Sequence, residues 1–97
     1  MTETPNPKPR FELGQIVATP NAIQALEAHN IQPQTLIERH ARGDWGELSP
    51  EDAHANEIAL QQGDRLLSSY AIAPEIKIWL ITEADRSSTA LLLPTDY

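Results

Sequence analysis

The chain holds three histidines, and none is spaced for a metal ion. His29, His40 and His54 fall on three separate segments of helical pattern, and no two stand four residues apart, the spacing that brings two imidazoles onto one ion. His40 shares the apolar stripe of its helix with Leu36, Ile37 and Ala41, which reads as a hydrogen-bonded core histidine. The densest polar run is Glu83-Ala84-Asp85-Arg86-Ser87-Ser88-Thr89, where carboxylates and a guanidinium stand close enough for acid–base work. Read structurally, the same run is a hairpin turn. Asp85 takes hydrogen bonds from the backbone at Ser87 or Ser88, and Arg86 pairs with Glu83 or an acid of the third helix. An enzyme built on this chain, a small hydrolase or nucleotide-handling activity, draws on His40, Asp44, Glu83, Asp85 and Arg86. It requires those five side chains to converge in one pocket.

Other signatures of chemistry are missing. Cysteine is absent, which removes disulfides, thiolate nucleophiles and Cys-based zinc sites. The glycines at 14, 43, 46 and 63 are scattered and form no phosphate-cradling loop. Asp44 to Asp52 has the acidity of a calcium loop without its ligand spacing or central glycine. No catalytic, metal or cofactor residue is assigned, and no cofactor is expected.

The elements that position these residues follow from period and punctuation. Residues 1 to 10 hold Pro5, Pro7 and Pro9 and read as a flexible arm ahead of a single domain over 11 to 97. A strand over Gly14 to Ala18 precedes Thr19-Pro20, an N-cap and first helical residue. That helix stops near Asn30. A second opens at Gln32-Pro33 and stops at Gly43. Ser49-Pro50-Glu51-Asp52 opens a third, which runs to Gln62-Gly63 with Ala55, Ile58 and Ala59 on one face. From Leu66 the pattern alternates to Ile72, Pro74 turns the chain, and Ile76 to Thr82 is apolar on both faces, as a central strand is. A last strand over Thr89 to Leu93 ends at Pro94. The expectation is an α+β fold of order β-α-α-α-β-β-β, with three helices on one face of a small, mostly antiparallel sheet. Trp45, between Gly43 and Gly46, is expected to anchor the turn joining the second and third helices.

Charge narrows the partners. Seven Lys or Arg against fourteen Asp or Glu give −7 over 97 residues, and the stretch from Asp44 to Asp64 carries six acids and no Lys or Arg. Such a surface repels phosphate backbones, so direct nucleic-acid binding is not expected. No apolar run is long enough to span a membrane, and the N-terminus has no signal-peptide pattern. The favoured reading is a non-enzymatic, acidic accessory protein in the cytoplasm that binds another protein, one with a basic surface. Asp44, Trp45, Glu51, Asp52, Asp85 and Arg86 are the candidate contacts.

Four segments, Phe11 to Pro20, Arg39 to Gly46, Gly63 to Tyr70 and Trp79 to Thr89, resemble a family of short bacterial proteins. Its members are often encoded on plasmids or integrated elements and are described as plasmid-related or hypothetical proteins. The resemblance spans nearly the whole chain after the Pro-rich arm. It implies a bacterial cytoplasm and a setting on mobile DNA, and it transfers no functional residue.

Overall fold

The structure is a computed structural model that describes residues 9–97. Its element order is β1 (Gln15–Ala18), α1 (Pro20–Ala28), α2 (Pro33–Ala41), α3 (Pro50–Gln62), β2 (Leu66–Ala73), β3 (Ile76–Thr82) and β4 (Ser88–Leu92), followed by a 3-10 turn over Pro94–Asp96. This is the α+β order expected, with each helix opening on proline. The Thr19 hydroxyl accepts the Ala22 N–H, and the Ser49 hydroxyl accepts the Asp52 N–H, both at 3.1 Å. The helix ends also fall where expected. Asn30 takes a φ of 56°, and Gly63 closes α3 at 77°.

The sheet order is β1-β4-β3-β2, with β1 parallel to β4 and the other two pairings antiparallel. β3 is an interior strand, as its two-sided apolar pattern demands. Leu66, Ser68 and Tyr70 of β2 register with Thr82, Leu80 and Ile78 of β3, and Leu80 and Thr82 register in turn with Leu91 and Thr89 of β4. These alternating residues share the face that the helices cover. One cluster joins Ala22 and Leu26 of α1 and Leu36 and Ile37 of α2 to Tyr70, Ile78, Leu80 and Leu91. A second joins Trp45 and Ala59 to Leu66. Burying this much apolar surface is the main force holding the layers together. On the opposite face, the Tyr97 ring meets the half-buried Trp79 edge-on at 5.9 Å, and its hydroxyl accepts from Arg65 at 2.7 Å. Asp96 ties the turn beneath Tyr97 to the start of α1, accepting from Thr19 at 2.7 Å and Asn21 at 2.8 Å.

Two expectations need correction. Of the arm read over residues 1 to 10, residues 1–8 lie outside the described residues, but Arg10 belongs to the domain. Its N–H donates to the Ala41 carbonyl at 2.7 Å, and its guanidinium grips both oxygens of Glu57 at 2.8 and 3.0 Å. The buried face of α3 is also rotated from the one expected. Ala59 is buried, while Ala55 and Ile58 point outward, because the helix seats on β2 through Asn56. The Asn56 amide donates to the Leu67 carbonyl at 2.6 Å and accepts the Leu67 N–H at 3.2 Å, standing in for a neighbouring strand's peptide.

The same edge of β2 is closed further along by the loop between α2 and α3. Ser69 donates to the Trp45 carbonyl at 3.1 Å and accepts from the Glu47 N–H at 2.6 Å. That approach requires a glycine at position 46, where φ is 78° and a Cβ would lie 2.1 Å from the Ser69 oxygen. Gly46→Ala is therefore expected to destabilise the domain by about 2–4 kcal/mol, from left-handed strain plus a backbone clash. Urea unfolding checks this, and an unchanged midpoint would contradict it.

Candidate functional site

Of the residues read as possible chemistry, His40 is the most buried, with none of its surface exposed. α2 projects it against the inward face of the sheet, where Nδ1 meets the Ser68 hydroxyl and Nε2 lies 2.9 Å from the Thr82 hydroxyl. Thr82 bonds Thr89 at 2.7 Å, and the Thr89 hydroxyl donates to the Leu13 carbonyl at 2.8 Å. A carbonyl can only accept, so the chain is directed from that end as far as the imidazole. Thr89 donates to Leu13, Thr82 to Thr89, and His40 Nε2–H to Thr82. Burial keeps the ring neutral, so Nδ1 accepts from the Ser68 hydroxyl. Burial pushes its pKa down from 6.5 to about 4, and the charge of Arg86 pushes the same way. Phe11 meets the imidazole edge-on at 5.2 Å, and Trp45 does so at 5.8 Å.

Asp44 and Trp45 are held inside the loop that closes β2. Arg39 donates to both Asp44 oxygens, at 2.7 and 3.3 Å, and this pairing holds the carboxyl below its usual range. The Tyr70 hydroxyl donates to the Asp44 carbonyl at 2.6 Å, and burial raises the phenol to about 12. Trp45 is buried as expected. Its indole N–H donates to Glu57 at 3.0 Å, and its ring stacks on Phe11 with centroids 6.2 Å apart.

The turn over residues 83 to 88 is structural in the way the sequence suggests, with one difference. Asp85 accepts the Ser87 N–H at 2.9 Å, and the Ser87 hydroxyl together with that N–H lowers its pKa. Arg86, however, pairs with no carboxylate among the described residues. Its φ is 61°, and its guanidinium donates to the carbonyls of Asp64 at 2.7 Å, Glu83 at 3.1 Å and Ala84 at 3.2 Å. This turn must meet the C-terminal end of α3, where peptide carbonyls lack helical partners. Glu83 pairs instead with Arg65 at 3.7 Å, on the surface.

Of the five residues required by an enzymatic reading, Arg86 donates to the Glu83 carbonyl, but the side chains of His40, Asp44, Glu83 and Asp85 each close on partners outside the five. Phe11 lies against both His40 and Arg86, the latter at 5.8 Å from its ring, and so fills the space between them. Three open clefts are lined by residues 9–14, by Ile23 to Pro33 and by Glu75 to Lys77 with Leu93 to Thr95. None of these three includes any of the five residues. Among the described residues no group of three His, Asp or Glu is placed to hold a metal ion, and no helix is long and apolar enough to cross a membrane.

Glu51 and Asp52 stand exposed in the first turn of α3, where negative charge favours the helix N-terminus. Along the same helix Ala55 is exposed, and Ile58 leaves 40% of its surface in solvent. Sequence reasoning missed the partners of His40. Ser68, Thr82 and Thr89 are polar residues at inward strand positions, and inward polarity opposite a stripe histidine is the signal that could have found them. Comparison of the chain with known protein families, curated proteins and solved structures finds no match.

Proposed function

We propose that this chain is a non-enzymatic interaction protein that binds a basic protein through the outer face of α3. The observation that carries the reading is Ile58, a large apolar side chain displayed beside Ala55 on a face that begins with Glu51 and Asp52. An exposed apolar residue flanked by acids suits a partner groove with a greasy floor and a Lys- or Arg-bearing rim. Of the six candidate contacts, Glu51 and Asp52 are those with no bond to hold the fold through their carboxylates among the described residues. The resemblance to plasmid-related bacterial proteins adds a setting: the bacterial cytoplasm, beside mobile DNA that the acidic chain does not itself bind.

Ile58→Lys tests this reading. The side chain is exposed, so melting should shift little. In capture from a bacterial lysate, the parent should retain a basic protein, less of it at high salt, and the variant should retain at least about tenfold less, the worth of one lost anchor. Equal recovery by parent and variant would reject α3 as the binding face.

A further inference from the structure

The two edges of the sheet are treated differently. The outer edge of β2 is closed at Leu67 by Asn56 and at Ser69 by Trp45 and Glu47. β1, the opposite end strand, has no such cover: among the described residues nothing pairs with its outer side, and all four of its residues are exposed. It contains no lysine, proline or bulge, the usual devices that keep an edge from pairing. Ile16 and Val17 leave 41% and 42% of their surfaces in solvent, Ile16 on the helix-covered side of the sheet and Val17 on the other.

We propose that β1 is the self-association edge of this protein, pairing antiparallel with β1 of a second copy to make one continuous eight-stranded sheet. Register follows from the backbone. The N–H groups of Gln15 and Thr19 reach inward to Ser87 and Leu91 of the β4 side, so those of Ile16 and Ala18 point outward. A twofold axis at Val17 sets Ile16 of each copy against Ala18 of the other, giving four backbone hydrogen bonds and a direct Val17–Val17 contact.

Charge selects a second copy over other occupants. The chain carries −7, yet no residue from Leu13 to Leu26 is charged. That stretch spans β1 and most of α1 and includes the exposed Ile16, Val17 and Ile23. There another equally acidic molecule meets no carboxylate from β1 or the first turns of α1, and the neighbouring Asp96 is already held by Thr19 and Asn21. A basic partner gains nothing there and is drawn to α3 instead. The pairing is short, so the dimer belongs among weak, concentration-dependent associations.

A cysteine-free chain allows a direct test. In a non-hydrogen-bonded antiparallel pair the Cα atoms lie about 4.5 Å apart, within the range of about 4.4–6.8 Å that a disulfide spans. Val17→Cys should therefore cross-link into a dimer under mild oxidation at least about tenfold faster than Ala71→Cys, an exposed position on β2, the strand whose edge is closed at Leu67 and Ser69. Sedimentation of the parent should show mass rising with concentration, and Val17→Glu, which faces two carboxylates across the axis, should stay monomeric while melting as the parent does. Equal cross-linking at the two positions, or a parent that remains a monomer at the highest concentration reached, would overturn the proposal.

Discussion

Acidifying the protein from pH 7 to pH 4 is expected to remove about 3 kcal/mol of stability through His40 alone. The imidazole holds a pKa of about 4 when folded against 6.5 when unfolded. A group whose proton affinity is depressed by folding favours the folded state in its neutral form. Its contribution is complete above pH 6.5, falls as the unfolded chain begins to take up the proton, and is gone near pH 4. The carboxylates of Asp44, Glu57 and Asp96 are also held low by their partners, but their contributions begin to fall only as pH approaches the unfolded values, 3.8 for Asp and 4.5 for Glu, and cannot account for a loss that begins at pH 6.5. Urea midpoints between pH 7 and 4.5 should fall for the parent. His40→Gln keeps one donor and one acceptor, so it should be less stable at pH 7 and nearly flat over the same range. A parent midpoint that does not move would show that His40 is not the buried neutral group described.

Trp45→Ala is expected to cost about 3–5 kcal/mol, the usual penalty for truncating a buried aromatic. The side chain is 6% exposed, stacks on Phe11, meets His40 edge-on and donates to Glu57. Its loss leaves a cavity between α3 and the sheet and loosens the loop whose backbone closes β2. A domain of this size has only about 5–15 kcal/mol in total, so the variant should be partly unfolded at physiological temperature. Thermal melting followed by circular dichroism measures the effect. A melting point equal to the parent's would mean that the indole sits in solvent, where it would serve as a contact residue instead.

The fold was legible wherever backbone chemistry dominates. Three proline-led helices, the glycine stop at 63 and the two-sided apolar pattern of β3 all reflect local rules that tertiary packing did not override. The bonding of Asp85 to Ser87 was legible for the same reason, being contained within three residues. Contacts between distant segments were not. Arg10 on Glu57, Asn56 on Leu67 and His40 between Ser68 and Thr82 join positions far apart in the chain, and no local pattern encodes such a pairing. The rotation of α3 shows how this misleads. Ile58 looks like a core residue by type, but a buried asparagine that satisfies a strand edge fixes the helix's orientation more strongly than one isoleucine does.

The same distinction organises the candidate site. Residues that look chemically capable, His40, Asp44 and Arg86 above all, are bonded into the scaffold, while Glu51, Asp52, Ala55 and Ile58 on the outer face of α3 stand exposed. The most direct measurement is a nitrogen-15 NMR titration of the His40 imidazole in the parent protein. The hydrogen-bond chain running to the Leu13 carbonyl places a proton on Nε2, and burial keeps the ring neutral, so Nδ1 should be unprotonated at pH 7 and stay so until the pH nears 4. A ring that titrates near 6.5, or carries its proton on Nδ1 at neutral pH, would contradict the scaffold role and return His40 to the list of groups able to do chemistry.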